Sequence, residues 1–159
     1  MKYIFLDIDG VLKEDESGAP FLPESLAALK KIVDKTGAEI VMSSTWKVKY
    51  KAFIDNGHIT EFPDILRLYN ALSEYGLEIH GYTPYLYVDK PVRRPTEIKQ
   101  YLNGADDIEA FCILDDRTEF LWDDLTPNFV CTVLGYEGDT KIAHLTEKSA
   151  KKAIEILNT

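Results

Sequence analysis

Two aspartates one residue apart, Asp7 and Asp9, close the apolar run Tyr3-Ile4-Phe5-Leu6 and are followed at once by Gly10. Side chains alternate along a strand, so both acids point to one side. A strand that is apolar on both faces has no local use for acids. Gly10 permits the tight turn that leaves them at the strand's carboxyl end. Carboxylates paired there can hold a hard cation through oxygen, and one of them can attack phosphorus as a covalent nucleophile. Taken alone, the pair reads equally well as a cap on the following loop. A second acidic pair, Asp115 and Asp116, ends the run Phe111-Cys112-Ile113-Leu114, where charge is costly unless partners or a cation satisfy it. Ser43 and Ser44 end Glu39-Ile40-Val41-Met42. A hydroxyl at that point either binds a phosphoryl oxygen or caps a helix. Ser43, the first polar residue after the apolar run, is the better placed for phosphate. An all-oxygen donor set of this kind suits Mg²⁺, whereas His58, His80 and His144 lack the spacing of a zinc site.

These groups need a scaffold that brings distant strand ends together. Tyr3–Ile8, Ala38–Met42, Leu77–Tyr82, Ala110–Leu114 and Phe129–Leu134 read as strands. Between them, Leu26, Leu29, Ile32 and Val33 mark a helix from Pro23 to Gly37, and Ile65, Leu68, Tyr69 and Leu72 mark another. Thr96 is the expected N-cap of a helix carrying Ile98, Tyr101 and Leu102, and Thr146 that of a last helix facing the core through Ala150, Ala153, Ile154 and Leu157. Strands alternating with helices predict an α/β fold, a mainly parallel central sheet covered on both faces, with the first strand central. Ligands collect at the carboxyl ends of such strands, where both acidic pairs and both serines fall.

The ordered set Asp7-Ile8-Asp9-Gly10, Ser43-Ser44-Thr45-Trp46, Arg93-Arg94-Pro95 before a helix, and Ile113-Leu114-Asp115-Asp116 resembles the haloacid dehalogenase (HAD) superfamily, mostly aspartate-dependent, Mg²⁺-requiring phosphohydrolases. The resemblance runs from Tyr3 to at least Leu134. The Ser-Ser-Thr-Trp-Lys run, the Arg-Pro-x-Glu-Ile helix start and Ile-Leu-Asp-Asp are similar to the HAD domains associated with bacterial and phage RNA-repair proteins. The resemblance implies a three-layer Rossmann-like core and hydrolysis of phosphomonoesters through an aspartyl-phosphate. By it, Asp7 is the nucleophile and Asp9 the general acid and then base. The metal is held by Asp7, the Asp9 carbonyl and Asp115, with Asp116 binding it through water or orienting the basic residue. Arg94 is the expected basic group, with Lys90 and Arg93 as alternatives. Glu119 is placed to hold a metal-bound water.

The stretch Gly10–Leu22 is too short for a cap, and Lys47–Asp89 has room for two helices and a strand, a connection rather than an independent cap. An open site admits polymer ends as well as small molecules. The RNA-repair resemblance suggests a nucleotide or polynucleotide end, such as a 3′-phosphate. A small phosphorylated metabolite is the alternative within the enzyme class, and a non-catalytic phosphate- or partner-binding module the alternative outside it. Lys47, Lys49 and Lys51 form the one compact basic patch, beside Trp46, which is expected to pack in the core.

A chain of 159 residues, 45% apolar and 28% charged, is expected to form a single domain over residues 1–159. Its net charge of −9 argues against a broad nucleic-acid-binding face. The absence of an apolar span or leader predicts a cytoplasmic protein with no membrane partner. Cys112 and Cys131, both in apolar segments, are expected to be buried.

Overall fold

The computed structural model describes all residues, Met1–Thr159. Its elements run β1 (Lys2–Leu6), α1 (Pro23–Thr36), β2 (Glu39–Met42), α2 (Lys47–Asp55), α3 (Pro63–Glu74), β3 (Ile79–Tyr82), α4 (Lys90–Asn103), β4 (Ala110–Asp115), a 3₁₀ turn (Asp123–Asn128), β5 (Phe129–Cys131), β6 (Val133–Glu137), β7 (Thr140–Ala143) and α5 (Glu147–Leu157). Five strands form one parallel sheet in the order β3-β2-β1-β4-β5. The first strand is therefore central, flanked by the two strands that end in Ser43 and in Asp115.

Alternation along β1 divides the core. Ile4 and Leu6 pack with Leu29 and Ile32 of α1 and with Ala150, Ala153 and Leu157 of α5. Tyr3 and Phe5 face the other way, with Ile98 of α4, Phe120 and Trp122. Helices thus cover both faces, and all of these side chains are nearly or fully removed from water, which supplies most of the drive to fold. The ends of α1 follow its sequence: Pro23 opens it, and Gly37, at φ 70°, donates its N–H to the Val33 carbonyl and stops it. A reciprocal Thr146–Ser149 capping box opens α5. The connection from Lys47 to Asp89 holds α2, α3 and β3, and β3 joins the central sheet, so no separate cap is present. No helix is long and apolar enough to cross a membrane.

Four sequence expectations need correction. Helix α4 starts at Lys90 behind Asp89, not at Thr96, and carries Pro95 inside it. Pro95 lacks the N–H that would bond the Pro91 carbonyl, and the Leu121 N–H takes that carbonyl instead, at 2.8 Å. Thr96 donates its hydroxyl to the Val92 carbonyl rather than capping. The expected strand Phe129–Leu134 breaks at Thr132, whose N–H donates to the Asp115 carbonyl and whose Oγ1 donates to that of Gly10. Beyond the break, β6 pairs with β7 in a separate antiparallel hairpin. Cys112 is buried but Cys131 is exposed, because β5 is a three-residue edge strand whose last side chain points outward. The three lysines of α2 do not form a patch. Spacing of two on a helix splays Lys49 away from its neighbours, and Lys47 is buried.

Candidate active site

Asp7, Asp115 and Asp116 converge at the carboxyl end of β1 and β4, with carboxylate oxygens within 4.8 Å of one another. All three are buried. The convergence follows from register: Leu6 pairs with Leu114, so the next residue of each strand emerges at the same level. Arg94 bridges two of them, its Nη1 lying 3.2 Å from Asp7 Oδ2 and 2.9 Å from Asp115 Oδ2. The remaining oxygens of that pair accept backbone N–H groups, Asp7 Oδ1 from Ile8 and Asp115 Oδ1 from Arg117. Asp115, not Asp116, therefore orients the arginine.

Asp116 is satisfied differently. Lys141 Nζ, on the β6–β7 hairpin, lies 2.6 Å from its Oδ2, and the Arg117 guanidinium lies 3.9 Å from Oδ1. Oδ2 is thus held by the lysine ammonium, while Oδ1 is buried with no donor within hydrogen-bond distance. Gly10 faces them at φ 80°, and a Cβ at that position would stand 2.1 Å from Asp116 Oδ2. Glycine at this position lets the Asp116 carboxylate lie against the turn that follows β1. Three buried acids whose oxygens come within 4.8 Å of one another, one of those oxygens without a donor, fit a divalent cation with oxygen ligands.

The electrostatics agree with this crowding. Burial pushes the Asp7 carboxyl well above its ordinary value; Arg94 opposes the shift, and Asp115 and Asp116 add to it. Burial raises Asp115 too, again against Arg94. Desolvation works against the charge of Arg94, yet Asp7 and Asp115 hold its pKa above the usual range. Lys141 is likewise held up by Asp116 despite partial burial.

Asp9 stays out of the carboxylate cluster. Its Oδ1 accepts from Lys13 Nζ at 2.8 Å, and its Oδ2 from Trp46 Nε1 at 2.9 Å. Lys13 is buried and also donates to the Glu14 and Glu16 carbonyls. Trp46 does pack, edge-on to Phe21, but it also fixes one oxygen of Asp9.

The two serines separate cleanly. Ser44 Oγ accepts the Trp46 N–H at 3.2 Å, at the entry to α2. Both serines line the same recess as Asp7 and Arg94, but only Ser43 Oγ is buried with no partner. Of the three basic residues considered from sequence, Lys90 and Arg93 line the mouth of this recess, and only Arg94 touches the acids. Glu119 is exposed and pairs with Arg117.

A model of the HAD domain found in Swiss Army Knife RNA repair proteins matches residues 3–135. The chain belongs to this family. No curated protein matches it. HAD domains generally have phosphatase-type chemistry and typically use a divalent metal, and the buried aspartates here offer one a site. The match runs from β1 into β6 and ends before Lys141, so this partner of Asp116 lies outside the matched segment.

Sequence reasoning does not single out Lys13, Trp46 or Lys141 as site residues. Lys13 sits four residues after Asp9, a helix-like spacing hidden in a loop. Trp46 carries a signal only as an aromatic beside Ser44. Lys141 comes from a hairpin that the strand pattern does not resolve.

Proposed function

We infer that this HAD domain is a Mg²⁺-dependent phosphomonoesterase that works through an aspartyl-phosphate on Asp7. The observation that carries the reading is the buried meeting of Asp7, Asp115 and Asp116 with Arg94 and an unpartnered Ser43 hydroxyl. Ser43 Oγ would donate to one phosphoryl oxygen, and Arg94 would supply fixed positive charge to another. An Asp7 oxygen forms a bond to phosphorus as the ester P–O bond breaks on the far side, its electron pair leaving with the oxygen. Asp9, aimed by Lys13 and Trp46, would enter this step as the protonated acid and give that oxygen its proton. It then takes a proton from the water that attacks phosphorus, which frees phosphate and restores the Asp7 carboxylate. Asp7 attacks only when ionised, and burial works against that form, so added positive charge at the acids favours the reactive state. Asp7, Asp115, Asp116 and the Asp9 carbonyl would hold Mg²⁺, which would neutralise charge on the transferring phosphoryl group.

Nucleotide or polynucleotide 3′-phosphate ends are the substrate reading. It is supported by the RNA-repair context of the family and by a site with no cap over it. Comparison of a 3′-phosphorylated oligonucleotide with sugar phosphates and mononucleotides, in Mg²⁺ and in EDTA, tests it. Phosphate release should require Mg²⁺ and favour the oligonucleotide; faster release from a sugar phosphate would move the assignment to a small metabolite.

Two further outcomes are expected. Ser43→Ala should raise KM roughly tenfold by removing a hydrogen bond to a charged group. Ser44→Ala should cost about 1 kcal/mol of stability through its lost contact with the Trp46 N–H, with little change in KM. Equal kinetic effects would remove the distinction between them. Thermal melts should rise with Mg²⁺, by about 2.7 kcal/mol at a hundredfold excess over Kd, and Asp116→Asn should shrink that rise. An unchanged melting temperature in wild type at saturating Mg²⁺ would count against the metal site.

A further inference from the structure

Asp9 stands between two unlike recesses. The larger, about 770 Å³, carries Asp15, Glu16 and Asp64 beside Lys13 and Arg67. Both of those cations are already paired, Lys13 with Asp9 and Arg67 with Asp64. The smaller recess, about 160 Å³, lies over Asp7. It has room for a phosphoryl group but is well below the size of an ordinary ligand pocket. The rest of an ester must therefore leave through one of two exits, an acidic one or the mouth of the smaller recess.

That mouth is basic. Lys90 and Arg93 line it with Tyr85. Neither has a carboxylate partner, whereas Lys47, Arg94 and Arg117 around the same recess are each tied to acids. Arg93 donates to the Val88 carbonyl and lies 5.4 Å over the Tyr85 ring. In a chain of net charge −9, these two unpaired cations differ from the other unpaired ones in lining the recess over Asp7. They do not serve α4, because they occupy its first turn, where positive charge opposes the helix dipole. Three residues apart, they share one helix face.

The aromatic side of the mouth is held in place from below. Lys47 and Glu97 form a buried ion pair at 2.8 Å. Lys47 also donates to Thr83 Oγ1 and the Pro84 carbonyl, and Glu97 accepts the Leu86 N–H. Tyr85 therefore sits on a pinned loop, yet its ring is 42% exposed and packs edge-on to Tyr87, which is 93% exposed. A pinned, partly exposed ring with one cation over it and another beside it suits a base and its phosphate bound without sequence preference.

Building on the phosphatase reading, we propose that Lys90, Arg93 and Tyr85 form a second subsite that takes a further phosphate and the adjoining base. The preferred substrate then carries two phosphate groups flanking one nucleoside, and its leaving group exits over the basic mouth rather than into the acidic recess.

Adenosine 3′,5′-bisphosphate and adenosine 3′-monophosphate differ by the one group this subsite needs. Wild type should show a kcat/KM for the bisphosphate about tenfold higher or more, as expected for one charge-assisted phosphate contact. The preference should shrink as salt rises. In the double variant Lys90→Gln, Arg93→Gln the ratio should fall to about one. Tyr85→Leu should weaken both adenosine ligands severalfold without changing their ratio, since stacking acts on the base. Equal kcat/KM in wild type, or a preference that survives the double variant, would overturn the subsite. Equilibrium binding of the bisphosphate separates this failure from failure of the phosphatase reading. Binding that depends on Lys90 and Arg93 without any turnover keeps the subsite and removes the phosphatase. Turnover of both ligands with no preference does the reverse.

Discussion

Asp7→Asn should reduce turnover by a factor on the order of 10⁴ or more, because it removes the attacking oxygen's charge while keeping the side chain's shape. The fold should survive the change. In the wild type, burial and the neighbouring Asp115 and Asp116 all disfavour the Asp7 carboxylate, and Arg94 is the side chain that chiefly favours it. A neutral amide relieves the repulsion, loses the 3.2 Å contact with Arg94, and leaves the arginine paired with Asp115. Melting temperature should therefore move far less than activity does. Release of phosphate, measured beside a thermal melt, checks both halves of the expectation. Phosphate or beryllofluoride trapped on the wild-type Asp7 carboxylate would be the direct counterpart. If Asp7→Asn turned over at the wild-type rate, attack would come from a metal-activated water instead, and the covalent route would be abandoned.

Much of the scaffold is legible in the sequence because it is written in long apolar runs. The five strands of the parallel sheet, and the helices that cover it, follow from runs such as Tyr3–Ile8 and Ala110–Leu114 and from helical spacing in α1, α3 and α5. Burial on both faces of a parallel strand makes every residue apolar, so the first acid stands out. That is why the sequence alone marks the strand ends at Asp7 and Asp115, which the register then brings level.

What stays hidden depends on contacts between segments. The true start of α4 cannot be read because Pro95 signals a helix start. A helix that runs through it needs the Leu121 N–H to satisfy the Pro91 carbonyl, a tertiary event 30 residues away. The break at Thr132 is of the same type, set by bonds to Asp115 and Gly10 rather than by local preference. Lys47 looks like one member of a solvated lysine run, yet Glu97 and Thr83 draw it inside. Asp9 illustrates the limit best. Its position is evident from its spacing to Asp7, but the two groups that aim it, Lys13 and Trp46, belong to a loop and a helix entry whose proximity no periodicity encodes.

Arg94→Met should produce the largest loss of stability at neutral pH. Arg94 is the cation between Asp7 and Asp115, and methionine fills similar space without charge. Removing one member of a buried ionic group leaves the others uncompensated, which costs about 3–5 kcal/mol. The loss should depend on pH in a defined direction. Both acids already have folded pKa values above the ordinary 3.8, and without the arginine that lowers them they rise further. Between the unfolded and folded values the folded chain holds the extra protons. Stability therefore falls as pH rises through that window, by about 1.4 kcal/mol per unit for each acid. The destabilisation should be greatest above the folded values and should shrink as pH falls toward 4. Melts of wild type and Arg94→Met in EDTA over a range of pH should show a gap that is wider at high pH than at low pH. Millimolar Mg²⁺ should narrow the gap, since a bound cation replaces part of the missing positive charge among the acids. A variant as stable as wild type across that range would mean that Asp7 and Asp115 are not held as a buried charged pair, and the electrostatic basis of the site would have to be redrawn around Lys141 and Asp116.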